Sequence, residues 1–229
     1  MMKFDFGARG RALTAALAAT CLASACMTAR VEESREGPET KLEKGEAVVL
    51  LTRHQSNARE TEHSFADCVV DDLASGSSGL TTRSEQEFMD GLFPWFEPRL
   101  APTTIEQLPK LFAQPGVAQR ISDSGVRYVI WLDGETQTTD GGGTISCDLL
   151  GFGCVGFQWW QKDSQYEAAI WDLKTQTSAG IISADVSGTS YMPAIVIPIP
   201  MIARTKAAAC HGLAKQLKEF LVMAPATEQ

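Results

Sequence analysis

The chain has 229 residues, of which 44% are hydrophobic and 21% are charged. This composition is typical of a globular protein and excludes a chain that is disordered throughout. The formal net charge is −8 at pH 7, which argues against nucleic acid as a partner because phosphate binding needs clustered Lys and Arg. The length fits one domain preceded by a leader.

The leader begins with the positive residues Lys3, Arg9 and Arg11. An alanine-rich apolar run follows over residues 12–25, and it is too short to span a membrane. A positive start and a short apolar run are typical of a secretory signal, so we predict a signal peptide over residues 1–25.

The signal ends Ala23-Ser24-Ala25-Cys26. Small residues directly before a cysteine resemble the lipobox of bacterial lipoproteins, although Ala23 stands where that family usually has Leu. The resemblance implies cleavage before Cys26 and acylation of its thiol. Because Met27 rather than Asp follows, it also implies an outer-membrane anchor with the domain facing the periplasm. The alternative is a plain secretory signal cleaved at the same small residues.

The rest of the chain divides by composition. Residues 26–45 carry many charges and few apolar side chains, so we predict a flexible tether. Residues 46–223 are predicted to form one α/β domain, which opens with a buried strand over 46–52. Residues 224–229 are predicted to be a disordered tail.

The predicted helices follow from apolar spacing and from capping residues. Ser84 and Glu87 form a capping box before an aromatic stripe, and Gly125 is expected to end a short helix. The spacing of apolar residues predicts a long final helix. The predicted helical regions are residues 64–74, a helix beginning near 84, a helix beginning near 103, residues 117–122 and residues 205–222.

The central sheet is predicted from residues 126–191. Residues 126–132 have apolar side chains on both faces, as in a strand buried at the middle of a sheet. Polar stretches at 162–165 and 174–177 are expected to be turns of an antiparallel meander. The sequence therefore predicts an α/β (α+β) fold with a single mixed, largely antiparallel sheet. Its order is helix–strand–meander–helix, with the helices packed on the sheet.

Three stretches carry a resemblance to a known superfamily. They are the strand Ala47-Val48-Val49-Leu50-Leu51, the run Ser124-Gly125-Val126-Arg127-Tyr128-Val129-Ile130, and the turn Trp171-Asp172-Leu173-Lys174-Thr175-Gln176-Thr177. This order resembles the superfamily of the curli-secretion lipoprotein, the TolB amino-terminal domain and the lipoprotein activators of penicillin-binding proteins. Gln176 stands where those proteins often have Gly. The resemblance implies this fold, an envelope setting and a non-catalytic assembly or binding role.

Four cysteines follow the leader and Cys26. Cys147 and Cys154 flank a short loop, whereas Cys68 and Cys210 lie on the apolar sides of two predicted helices. An exported chain with an even number of cysteines favours disulfides, so we predict the pairs Cys147–Cys154 and Cys68–Cys210. We expect no metal or cofactor. The alternative is a zinc site made by His63, Cys68, Cys210 and His211.

Several carboxylates lie on or near the predicted strands: Asp133, Glu135, Glu167, Asp172 and Asp185. Alternation with core residues predicts that they face solvent. We therefore expect a protein that is not an enzyme. The alternative is a periplasmic hydrolase in which carboxylates such as Asp133 and Glu167 perform acid–base catalysis.

Residues 191–202 read YMPAIVIPIPMI. Three prolines oppose a central strand, so the segment is expected either to cover a sheet edge or to present an exposed apolar patch. In the second case it is the candidate contact with an envelope protein partner, and lipid on Cys26 is the contact with the membrane. The candidate contact residues are Tyr191, Met192, Ile195, Ile197, Ile199 and Met201.

Overall fold

A computed structural model describes residues 27–37, 40–52, 62–97, 101–102, 105–148 and 153–222. The predicted signal peptide, Cys26 and the predicted tail lie outside these residues. The chain divides into two compact units, so the single domain expected over 46–223 is shared between them. The first, here the hairpin unit, comprises Met1–Thr28, Thr138–Asp163 and Ser187–Arg204. The second, the core unit, comprises Ala29–Gln137, Ser164–Val186 and Thr205–Gln229.

Six strands and five α-helices are described, together with one 3₁₀ turn at Ile105–Gln107. The strands are β1 Met27–Arg35, β2 Ala47–Thr52, β3 Thr82–Arg83, β4 Val126–Cys147, β5 Cys154–Asp172 and β6 Thr177–Val196. The helices are α1 His63–Ala74, α2 Glu85–Gly91, α3 Leu108–Phe112, α4 Val117–Ser124 and α5 Thr205–Val222. In this part of the chain no helix is long and apolar enough to cross a membrane.

The strands form one six-stranded sheet in the order β1-β6-β5-β4-β2-β3, which gives an α+β fold. The sheet is mixed, so the expectation of a largely antiparallel sheet is wrong. β2 pairs in parallel with both β3 and β4. The reason lies in the connections: α1 separates β2 from β3, and helices α2 to α4 separate β3 from β4, so the chain returns to the same end of the sheet before each strand.

The core unit buries both faces of its part of the sheet. All six residues of β2 are buried, and alternate residues face opposite sides. On one side Phe65 of α1 and Leu213 of α5 join a cluster with Ile170. On the other side Phe112 of α3 joins a cluster with Trp131. The apolar residues on both faces of β2 and β4 therefore reflect two helical layers.

Two predicted irregular stretches are strands. Residues 27–35 form β1 rather than part of a flexible tether, and most of its side chains are exposed. Glu36 N donates to Ala179 O at 2.9 Å just beyond it. A charged strand at the edge of a sheet needs little apolar surface, and edge charges oppose further pairing. Because β1 has many charged and few apolar side chains, its composition suggested a linker.

The predicted turn at residues 162–165 is also wrong, because β5 runs through it without a break. Ser164 is fully buried there. Its hydroxyl contacts the hydroxyls of Thr136 and Thr205, each at 2.9 Å. These hydrogen bonds satisfy a buried polar side chain inside the core unit, which allows a polar residue in a strand where the sequence suggested a turn.

The helix-capping predictions agree with the geometry. The Ser84 hydroxyl accepts a hydrogen bond from Glu87 N at the start of α2. Gly125 follows α4 with φ of +69°, the left-handed conformation that ends many helices. α2 ends at Gly91, before Pro94.

Candidate functional site

Residues 191–201 of the hairpin unit fold back on themselves as a β-hairpin. Tyr191 N donates to Met201 O at 2.9 Å, and Met201 N donates to Tyr191 O at 2.7 Å. Ile199 N donates to Pro193 O at 2.9 Å. Pro193 lies inside β6, although the three prolines were expected to oppose a central strand. A hairpin tolerates them because a proline that cannot donate can still accept.

The hairpin exposes the three isoleucines predicted as contacts. The exposed fractions are 83% for Ile195, 67% for Ile197 and 58% for Ile199. Met192, Tyr191 and Met201 are partly buried. Of the two interpretations left open by the sequence, the structure shows the exposed patch and not the buried cover.

Further apolar side chains that the sequence did not single out are exposed beside the hairpin. Val155 and Phe157 are exposed on β5, which lies next to β6 in the sheet. The rings of Phe157 and Tyr191 have centroids 6.0 Å apart. The alternation Val155-Gly156-Phe157 was the available sequence signal, because it places both side chains on one face. A group of exposed apolar side chains in the hairpin unit is called the apolar patch below. It consists of Val155, Phe157, Ile195, Val196, Ile197, Ile199 and Ile202.

A disulfide and a close glycine contact lie beside this patch. Cys147, at the end of β4, is bonded to Cys154, at the start of β5, with 4.0 Å between their Cα atoms. Gly153 has φ of +118°, and a Cβ there would lie 2.8 Å from the Val196 carbonyl oxygen. Only glycine allows the backbone at residue 153 to approach β6 this closely. The patch is thus built on backbone that is held by a covalent bond and by hydrogen bonds.

The chemistry of the patch is apolar and uncharged. Residues 187–203 contain no Asp, Glu, Lys or Arg. Such a surface offers no group for acid–base or nucleophilic chemistry. It can bind another apolar surface, and the free energy would come from removing its side chains from water.

The predicted strand carboxylates gather in a different place, on the core unit. Asp133, Glu167 and Asp185 line a shallow cavity of about 390 Å³, with Tyr166 at its wall. Glu167 and Asp185 are exposed, as the alternation with core residues predicts. Burial raises the pKa of Tyr166 to about 12, so its hydroxyl stays protonated. Glu135 also lines this cavity. Asp172 is instead buried, where it pairs with Arg127, so the expectation that it faces solvent is wrong.

The second disulfide joins two helices of the core unit. Cys68 of α1 and Cys210 of α5 are bonded, with 6.3 Å between their Cα atoms. Both disulfides found among the described residues are thus between the cysteines paired from the sequence. The neighbouring His211 Nδ1 contacts Asp72 Oδ2 at 2.5 Å. Within the described residues, the potential ligand atoms that lie near these sulfurs come from His211 and not from His63.

Comparisons with known proteins do not identify a family for this chain. No family model matches the chain, and no curated protein does. Among solved structures it is similar to the PelC dodecamer from Paraburkholderia phytofirmans, with 10% identity, coverage of 86% of this chain and 100% of that chain, and a TM-score of 0.39. A single-substitution variant of that dodecamer gives 13% identity, 86% and 99% coverage, and a TM-score of 0.38. Such low TM-scores carry no argument about function.

Proposed function

We propose that this chain is a lipid-anchored envelope protein without catalytic activity that binds a protein partner, or helps to assemble a complex, through the apolar patch. The observation that supports this proposal is the exposure of the hairpin isoleucines. A large uncharged patch exposed in water is typical of an interaction surface.

Both the isoleucine side chains and the fixed backbone of the hairpin favour binding. Burying one isoleucine side chain contributes about 1.5–3 kcal/mol, so the three together would supply part of the free energy that association requires. The hydrogen bonds between Tyr191 and Met201 hold the hairpin in one conformation. A preformed surface loses less conformational entropy on binding than a flexible loop does.

The anchor is proposed from the leader. Small residues before Cys26 favour lipidation, and the resemblance to the superfamily of envelope lipoproteins favours the outer membrane with the domain in the periplasm. The two disulfides are consistent with an oxidising compartment. Cys26→Ser should release the protein from the membrane fraction and remove the mass of the acyl chains. Retention of Cys26→Ser in the membrane with unchanged mass would show that the anchor is wrong.

The binding proposal is tested by crosslinking in intact envelopes. A photoreactive amino acid at position 197 should give a discrete protein adduct. The same residue at position 139, an exposed strand position of the hairpin unit outside the patch, should not. Adducts of equal yield from both positions, or adducts with lipid alone, would contradict a protein partner at the patch.

A periplasmic hydrolase is the second candidate, because Asp133 and Glu167 line the same cavity. One carboxyl would act as an acid and the other as a base on a cell-wall or glycan substrate. The candidate requires turnover of such a substrate by purified protein and its loss in Asp133→Asn or Glu167→Gln. We expect no turnover, and unchanged crosslinking from position 197 in both variants.

A further inference from the structure

We propose that reduction of the Cys68–Cys210 disulfide converts its surroundings into a Zn²⁺ site, with Cys68, Cys210 and His211 as ligands and Asp72 as the group that orients the imidazole. In this proposal the oxidised chain binds no zinc at this place and the reduced chain binds one ion. It is independent of the apolar patch and of any partner that the patch binds.

The ligand atoms are already close together. The two sulfurs and one ring nitrogen of His211 all lie within 4.8 Å of one another. Cys210 and His211 are adjacent on α5, and adjacent helical residues were expected to diverge. Here the Cys210 sulfur and a ring nitrogen of His211 nevertheless lie within 4.8 Å of each other. Zinc binds sulfur at about 2.3 Å and nitrogen at about 2.0–2.1 Å, so after reduction the sulfurs must separate and the imidazole must approach, movements of about 1–2 Å, for the three ligands to close around an ion.

Asp72 supplies the carboxylate that zinc-bound histidines usually have. Its Oδ2 lies 2.5 Å from His211 Nδ1. In a neutral imidazole this contact holds the proton on Nδ1 and leaves the lone pair on Nε2 for a metal. Asp72 follows Cys68 by four residues on α1, which places both on the same face of that helix.

The chemistry of the conversion is a thiol–disulfide exchange with a dithiol reductant. Cys68 is partly buried while Cys210 is fully buried, so an incoming thiolate reaches the Cys68 sulfur and Cys210 leaves as a thiolate. The second thiol of the reductant then releases Cys68, and the reductant becomes the disulfide. Zn²⁺ binding displaces the thiol protons that remain. Two thiolates and an imidazole suit zinc, and water completes a tetrahedral site.

The experiment uses the full chain with Cys21→Ser, Cys26→Ser, Cys147→Ser and Cys154→Ser, which leaves Cys68 and Cys210 as its only cysteines. Co²⁺ serves as the spectroscopic probe. After reduction by a phosphine, one equivalent of Co²⁺ should give thiolate-to-cobalt charge-transfer absorption, and Zn²⁺ should abolish it. The oxidised chain should give none. Equal absorption from the oxidised chain would overturn the proposal.

Variants identify the ligands. His211→Ala should weaken Co²⁺ binding at least tenfold, and Asp72→Asn should weaken it by about 10-fold to 100-fold, the usual effect of losing an orienting carboxylate. His63→Ala is the matched control and should leave the affinity unchanged. Loss of binding in His63→Ala but not in His211→Ala would overturn this ligand set.

Folding of the reduced chain is measured in parallel. Zn²⁺ should raise its melting temperature and leave that of the oxidised chain unchanged, because a ligand of the native state stabilises it by mass action. If the reduced chain is unfolded and Zn²⁺ restores no cooperative transition, the helices do not hold a metal site and the proposal is wrong.

Discussion

Arg127 and Asp172 form an ion pair with two hydrogen bonds between β4 and the end of β5. Arg127 Nε lies 2.8 Å from Asp172 Oδ1, and Arg127 Nη2 lies 2.7 Å from Oδ2. Asp172 also accepts from Lys174 N at 2.8 Å and Thr175 N at 3.2 Å, in the turn before β6. Burial alone would raise the pKa of Asp172, but the hydrogen bonds from Arg127 and the two amides lower it below its ordinary value. The hydrogen bond with Asp172 likewise raises the pKa of Arg127.

Removing this carboxylate should destabilise the fold. Asp172→Asn leaves Arg127 mostly buried, with Glu46 at 3.4 Å as its remaining carboxylate. Breaking a buried ion pair costs about 3–5 kcal/mol, and the remaining Glu46 favours the lower end, about 3 kcal/mol. Denaturant unfolding at pH 7 measures this loss. Glu167→Gln, an exposed carboxyl on the same strand, is the control and should change stability by less than about 0.5 kcal/mol.

The lowered pKa of Asp172 also predicts a pH dependence. A carboxyl whose pKa is lower in the folded than in the unfolded chain stabilises the fold above the unfolded pKa, about 3.9. That stabilisation is lost as the pH falls through the folded pKa. The difference in unfolding free energy between the natural chain and Asp172→Asn should therefore shrink below about pH 4. A difference that stays constant between pH 7 and pH 3 would contradict this.

The turn that Asp172 caps shows what the sequence could predict. The polar residues predicted a turn at residues 174–177, and the structure has a turn between β5 and β6. Gln176, which stands where the superfamily often has Gly, has φ of +57°. The resemblance singled out this position, but its left-handed backbone is seen only in the structure.

Elsewhere the predictions succeeded where burial dictates the pattern. The strand Ala47–Thr52 and the helix Thr205–Val222 have apolar spacing that only a buried element needs. They failed where polar residues occupy strands: Ser164 is paired by hydroxyls from distant residues, and β1 is an edge. Neither tertiary hydrogen bonds nor edge position leaves a local signal. The sequence also left the exposure of the hairpin isoleucines undetermined, because a buried and an exposed apolar segment have the same sequence pattern.

Gln176→Gly should stabilise the core unit. A non-glycine residue in the left-handed region destabilises the fold by about 1–2 kcal/mol, and glycine removes this cost. Glycine also makes the unfolded chain more flexible, which offsets about 0.5–1 kcal/mol of the stabilisation. We expect a net gain of about 0.5–1 kcal/mol in denaturant unfolding. Lys174→Gly in the same turn, where φ is not positive, should destabilise instead. A loss of stability in Gln176→Gly would contradict the prediction.

The two disulfides should differ in their contribution to stability. Cys68 and Cys210 are 142 residues apart, whereas Cys147 and Cys154 are 7 apart. The loop-entropy relation gives about 5 kcal/mol for the first bond and about 2.4 kcal/mol for the second. Paired replacement by alanine, measured by denaturant unfolding, should therefore cost roughly twice as much for Cys68 with Cys210. Equal losses would show that local strain or residual unfolded structure outweighs loop closure.

Ile197→Asp separates stability from binding at the apolar patch. The side chain is 67% exposed, so a carboxylate there stays in water and the melting temperature should be nearly unchanged, within about 0.5 kcal/mol of stability. A partner's apolar surface would have to bury that charge without a counter-ion, which costs several kcal/mol. Crosslinking from position 195 should therefore disappear. Thr139→Asp adds the same charge at an exposed position of the hairpin unit outside the patch, and it should leave both crosslinking and the melting temperature unchanged. If Ile197→Asp lowers the melting temperature by many degrees, the isoleucine is part of a core. If it leaves crosslinking intact, the patch is not the contact surface.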